Sequence, residues 1–258
     1  MDPAQDPSTL LCERCGYVIQ GLHVPSNCSE CGLPVADSLP SARSGTPWQN
    51  RPGLTSWLRT NVSMLRRSVH MFRIVRLEAR SGSTLLAANL LLASMIVIAP
   101  WSGILLDNPF RNLAWGRSGS MALEVLLTLG RVLFAAAGFL LLTLIEWLGI
   151  QFFANRRGWR LTPLAAWQVV AHASIGWVAT AITSLIGLIA WLNVSFFGYS
   201  GGISRLPGAS DWLVLGVPAA GALLGLLIFE LLVYTGVRQC RYANRPQPNT
   251  ERGQPAQA

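Results

Sequence analysis

The chain has 258 residues, 51% of them apolar and only 12% charged, about half the charge of a typical soluble domain, so an ordinary one- or two-domain soluble protein is excluded. The formal charge is +8 and every basic side chain is arginine. Without lysine there is no P-loop phosphate clamp, no kinase strand lysine and no Schiff-base amine, and arginines gathered at segment ends point to anionic lipid headgroups before nucleic acid.

The first eleven residues carry Asp2 and Asp6 but no basic residue and no long apolar run. They lack the form of a cleaved targeting peptide, so the N-terminal region is expected to stay in the cytoplasm, where thiols remain reduced. The cysteines fit that compartment. Cys12 and Cys15 form one Cys-x-x-Cys-Gly turn, and Cys28 and Cys31 form a second, with twelve residues between the turns. Two intervening residues let both sulfurs of a turn reach one ion, and the glycine after each second cysteine, Gly16 and Gly32, permits the positive φ that closes it. Four thiolates make the tetrahedral shell of a closed structural zinc site. A rubredoxin-type iron site is the main rival, but it needs longer spacing and an aromatic-rich loop, whereas this loop holds Tyr17 alone. His23 lies in the loop and is read as a bystander. With Glu13 and Glu30 against Arg14, the predicted ribbon over 1–33 lacks a basic face for nucleic acid.

Residues 34–55 contain Pro34, Pro40, Pro47 and Pro52 among serines and glycines. They read as a flexible linker that would give the ribbon a reach of roughly 25 Å. From 56 to 82 the period becomes helical. Leu58, Val62, Leu65, Val69 and Phe72 form one apolar stripe, flanked by Arg59, Arg66, Arg67, Arg73, Arg76 and Arg80. Such a basic amphipathic helix either lies in the interface of an anionic leaflet or packs on the membrane domain.

Four long apolar stretches follow, near 84–106, 121–150, 164–192 and 212–237, each meeting the ~20 residues needed to cross a bilayer. The expected fold class is therefore an all-α membrane protein: four transmembrane helices over 83–238, preceded by a small zinc ribbon and a basic amphipathic helix, with a disordered tail over 239–258. Sixteen arginines fall on the side of both termini and three on the other. The positive-inside rule then puts both termini in the cytoplasm. Trp147 and Trp159 mark that interface, and Trp101, Trp115, Trp191 and Trp212 mark the opposite one. Gly221 and Gly225, with Gly176, Thr180 and Ser184 on the preceding span, form small-residue faces that suit a packed bundle or a homo-oligomer.

Charged and polar groups inside the spans are candidate functional residues. Arg131 lies roughly 15 Å into the second span at 1.5 Å per residue. Glu124, seven positions earlier, offers it a structural ion pair, and a gate or ion path is the alternative. Glu146, His172 and Glu230 fall in the cytoplasmic third of their spans, with His172 and Glu230 at similar depth. Interhelical hydrogen bonding, a proton relay or a metal site would each use them. Cys240 reads as an isolated cytoplasmic thiol.

The run Cys12–Gly16, Tyr17, Val18, Ile19, Gln20, Gly21, Leu22 with Cys28–Gly32 resembles the N-terminal ribbon of a group of bacterial membrane proteins in which Cys-x-x-Cys-Gly-Tyr precedes a multi-span domain. The segment Tyr234 to Pro246 is similar to their C-terminal end, and the spans show a fainter similarity to Yip-type proteins. The resemblance implies a fold and a bacterial inner-membrane location, with no activity attached. The chain contains no hydrolase triad, no His-Glu-x-x-His, no Rossmann glycines and no nucleotide loop. Two readings follow. One is a non-enzymatic, membrane-anchored interaction or scaffold protein with a protein partner. The other is a small transporter or channel-like protein using Glu146, His172 and Glu230.

Overall fold

A computed structural model describes residues 9–102, 121–200 and 209–245. Among the described residues its regular secondary structure is helical, joined by short loops, and the N-terminal ribbon adds only two isolated β bridges. The helices are α1 (Pro47–Asn50), α2 (Leu54–Ile74), α3 (Ala79–Ile98), α4 (Met121–Arg156), α5 (Pro163–Ala173), α6 (Ile175–Ser200) and α7 (Ala209–Cys240). Four stretches are long and apolar enough to cross a membrane: Ala79–Ile98, Ala122–Arg156, Pro163–Ala190 and Ala219–Cys240. The fold is thus the all-α membrane architecture expected. The first span ends near Ile98, where Pro100 cannot continue the backbone ladder and a single 3-10 turn follows. The tryptophans expected at the outer interface, the loop arginines there and residues 246–258 lie outside the residues whose side chains are described.

The chain divides into two compact units. One holds residues 86–144 and 174–231, the middle and far parts of the long helices. Its packing is that of helices in lipid, where close backbone approach and buried hydrogen bonds replace a hydrophobic drive. A Cβ on Gly225 would strike the Thr180 backbone, one on Gly221 the Thr183 carbonyl, and one on Gly176 the Phe229 backbone. The small-residue faces therefore join α6 to α7 within one chain. Thr183 Oγ1 donates to the Gly221 carbonyl at 2.6 Å. Trp177 stacks on Phe229, centroids 4.5 Å apart, and donates its indole N–H to Thr143 Oγ1 at 2.9 Å. Fully buried Asn89 donates to Ser174 Oγ at 2.8 Å. Glu124 and Arg131 are half-buried on α4, and Arg131 engages a neighbouring group. Glu230 is exposed.

Gly225→Val should lower the thermal midpoint in detergent by several degrees, since overpacking costs about 1–3 kcal/mol. Gly138→Ala, where a new Cβ meets nothing within 4 Å, should leave it unchanged.

The second unit holds residues up to Leu85, 145–173 and from Leu232 onward. Here the segment expected to be a flexible linker is folded, and Val35, Ser38, Arg43, Gly45, Thr46 and Gln49 are buried. Two 3-10 turns, Val35–Ser38 and Pro40–Ala42, lead into α1. Thr46 caps α1 in a reciprocal capping box with Gln49, which satisfies backbone donors at both residues. Arg43, Thr46 and Gln49 are all buried. Gln49 Nε2 donates to the Arg76 carbonyl at 2.8 Å, while its Oε1 accepts from the Arg76 N–H at 2.9 Å. Trp48 donates its indole N–H to the Ser81 carbonyl at 3.1 Å. A proline- and serine-rich composition fits a linker, but these polar groups find partners on α2, α3 and α5. The ribbon consequently lacks the free reach expected of it.

His172 belongs to the same network. Nδ1 lies 2.9 Å from the Gln168 carbonyl, and since a carbonyl only accepts, Nδ1 carries the proton. Nε2 is then the acceptor facing Thr46 Oγ1 at 3.5 Å. The fully buried imidazole thus has both nitrogens directed at residues of the first 173 positions, where the sequence pointed to the Glu230 carboxylate. Glu146 is half-buried with partners of its own.

α2 splits its apolar stripe: Leu58, Val62, Leu65 and Val69, with Leu54, are 37–81% exposed, while Phe72, beyond the kink at Arg67, is buried together with Thr60, Asn61, Met64 and Met71. The helix therefore packs on the protein by one face and keeps an unpartnered apolar face on the other. Arg59, Arg66, Arg67, Arg73 and Arg80 are exposed, while Arg76 is half-buried against Asn50 and Glu78. Arg67 leaves the helical region (φ −140°, ψ 43°) and kinks the helix.

Candidate metal centre

The ribbon is built from one turn used twice, sixteen residues apart. In the first turn Cys12 N–H donates to the Tyr17 carbonyl at 2.8 Å, and Gly16 N–H to the Cys12 carbonyl at 2.9 Å. In the second, Cys28 N–H donates to the Leu33 carbonyl and Gly32 N–H to the Cys28 carbonyl, at the same two distances. Bridges Leu11–Val18 and Asn27–Pro34 close the two loops. Gly16 (φ 81°) and Gly32 (φ 70°) take the left-handed conformation that the sequence assigned to them. Between the turns Cys12, Ile19, Cys28 and Val35 form a small apolar core.

All four sulfurs lie within 4.8 Å of one another. Cys12 Sγ is 3.5 Å from Cys31 Sγ, and Cys15 Sγ is 3.6 Å from Cys28 Sγ. A tetrahedral ion with ~2.3 Å metal–sulfur bonds needs sulfur–sulfur edges of about 3.8 Å. The cluster thus has the size and donor set of a four-thiolate metal site, with every cysteine free. Its proton chemistry points the same way. Burial opposes ionisation of Cys12, but N–H groups of Cys15 and Arg14 and the thiols of Cys31 and Cys15 outweigh it, lowering the thiol to about 7. Burial and hydrogen bonding to the other three cysteines push Cys15 up to about 12. Without an ion the first negative charge blocks the next, and a cation at the centre removes that conflict. His23 is exposed and stands apart from the cluster.

The ribbon is fastened to the helix ends of its unit. Glu13, between the first two ligands, pairs with Arg43 at 2.8 Å, and Arg43 also donates to the Phe72 and Val75 carbonyls, each at 3.0 Å. Asn244 bridges from beyond α7. Its Oδ1 accepts from Leu11 N–H at 3.0 Å, and its Nδ2 donates to the Leu11 and Ser38 carbonyls at 2.7 Å. Asn244 N–H donates to Glu13 at 3.2 Å. Arg160 reaches Asn244 Oδ1 at 2.7 Å and the Thr9 carbonyl. The start of the tail expected to be disordered, residues 241–245, is therefore a structural clasp. Sequence reasoning missed Glu13, Arg43, Arg160 and Asn244 as a group, because their partners lie up to 233 residues away and no local periodicity marks them.

Gly16 sits at the clasp and Gly32 does not. A Cβ on Gly16 would lie 2.8 Å from the Tyr242 ring, while one on Gly32 would meet nothing within 4 Å. Alanine at either position costs about 1–2 kcal/mol of backbone strain. Only Gly16→Ala should also increase hydrogen exchange at residues 241–245.

Comparison with family models, with curated proteins and with solved structures finds no match to this chain. The cysteine geometry and the membrane helices stand on their own: this is a membrane protein with a four-cysteine site able to bind a metal ion.

Proposed function

We propose that the protein is a membrane-anchored zinc-ribbon scaffold of a bacterial inner membrane, with both termini cytoplasmic, that presents a fixed surface to a protein partner. One observation carries this reading. While Arg43 and Asn244 clasp the ribbon, the loop between its two turns exposes Tyr17, Leu22 and Val24. A ribbon core this small gains nothing by exposing three large apolar groups, and such groups together suit a protein contact. Zinc is the ion that best fits four thiolates in a small closed fold. The exposed apolar face of α2, flanked by arginines, suits an anionic leaflet, each arginine near the surface adding about 1 kcal/mol of attraction.

The transporter reading uses Glu146, His172 and Glu230. His172, with both ring nitrogens engaged inside a structural network, supports it poorly.

Capture of crosslinked partners from membranes expressing wild type, Leu22→Asp/Val24→Asp or Glu230→Gln separates the two. The scaffold reading expects a partner recovered by wild type and Glu230→Gln and lost with the loop variant. Ion or metal flux in proteoliposomes that Glu230→Gln abolishes and the loop variant spares would overturn it. Impermeant thiol labelling in whole cells at Ser200→Cys, with none at Ser41→Cys, tests the orientation.

A further inference from the structure

We propose that the cleft between the ribbon and the ends of α2 and α7 is an anion site for a phosphate-bearing ligand, a phosphomonoester carried by a lipid headgroup or by a soluble compound. The cleft encloses about 580 Å³, within the range of small-molecule sites. Arg14 of the ribbon, Arg73 of α2, Arg238 of α7 and Arg241 beyond it all line it.

The facing acids are Glu13 and Asp37. Glu13 is already neutralised by buried Arg43 and accepts from Asn244 N–H. Neither Arg43–Glu13 nor Arg76–Glu78 uses a cleft arginine, so against the four guanidiniums stands the Asp37 carboxylate.

Neutral groups orient the guanidiniums without cancelling their charge. Arg73 Nε donates to Gln239 Oε1 at 3.0 Å, and Arg241 donates to the Arg14 carbonyl at 2.7 Å. Arg241 also stands 5.2 Å from the Tyr242 ring centre, and Arg238 stands 5.8 Å from that of Tyr234. Arg73 and Arg238 occupy the last turns of their helices, where cations offset the helix dipole. That accounts for two of the four. Arg241, directly at the end of α7, shares that setting, but Arg14 lies in a loop, so the helix dipole does not explain why it lines the same cleft. Guanidinium forks match phosphate oxygens in bidentate pairs, and several around one cleft suit a doubly charged group.

The test uses the full-length, metal-loaded protein in nanodiscs. In phosphatidylcholine alone, glycerol 3-phosphate is titrated by calorimetry. In phosphatidylcholine mixed with phosphatidic acid, retained phosphatidic acid is counted by native mass spectrometry. Saturable binding of either probe is expected, weakened about tenfold or more in Arg73→Gln/Arg238→Gln and unchanged in Arg51→Gln/Arg157→Gln, which lie outside the cleft. Both pairs change exposed side chains, and retained metal confirms folding. Binding of the soluble probe identifies a soluble ligand, and retention of phosphatidic acid alone identifies a headgroup. Absence of saturable binding by both probes overturns the proposal, as does an equal loss in the two double variants, which would mark a diffuse surface charge.

Discussion

Cys15→Ser should reduce bound metal from one ion per chain to none after a chelator wash, read by elemental analysis of the purified protein. Three thiolates cannot close the tetrahedron, and a structural zinc site contributes on the order of 10 kcal/mol to a fold of this size. The ribbon core holds only Cys12, Ile19, Cys28 and Val35 with a few flanking residues, too little apolar area to stay folded without the ion. The loss should spread along named contacts. Leu11 and Glu13 hold Asn244, so hydrogen exchange should rise at 9–46 and 241–245 together. The helices over 86–144 and 174–231 should stay protected, since their glycine and tryptophan packing uses no ribbon residue. Stoichiometric iron in place of zinc, or metal retained by the variant, would refute the assignment. The pH dependence has a definite sign. Cys12 ionises near 7 while Cys15 and Cys31 are raised, so metal binding at neutral pH must expel protons. Metal affinity should therefore rise with pH, from below the Cys12 value of about 7 toward the Cys15 value of about 12.

Glu13→Gln should destabilise the second unit by about 3–5 kcal/mol, the cost of leaving one buried charge without its partner. The side chain of Arg43 is 3% exposed and that of Glu13 13%. The Phe72 and Val75 carbonyls can accept from the guanidinium but cannot neutralise it. Arg43→Met alone should cost less, because Glu13 keeps Asn244 N–H as a donor. Arg43→Met with Glu13→Gln should recover part of the loss, since the remaining groups are neutral. Chemical unfolding followed at tryptophan, with metal kept saturating, measures all three. Strict additivity of the single variants would show that the pair is not coupled.

These two experiments bear on different levels of the molecule, and so did the sequence. The cysteine turns were legible because a metal site of this type is local. Two residues between cysteines and a glycine after the second fix the turn wherever it occurs, and the structure repeats it at Cys12–Gly16 and Cys28–Gly32. The four spans were legible because a bilayer imposes length and hydropathy on each helix separately. The close approach at Gly221 and Gly225 was legible as a tendency, and the structure assigns it to α6 and α7 of one chain. Polar residues outside such patterns were not legible. Arg43, Thr46 and Gln49 lie in a proline- and serine-rich stretch that reads as a linker, and only partners on α2, α3 and α5 make their burial tolerable. Asn244 gave no local sign that it would complete the hydrogen bonds of Leu11. The stripe on α2 was visible in the sequence, but which face the protein would bury was not, because periodicity reports a face without saying what covers it. Local chemistry and hydropathy thus determined the metal turns and the membrane helices. The docking of the ribbon, the ordered strap and the partners of His172 were decided by the tertiary structure, because a buried polar group is stable only once its distant partners are in place.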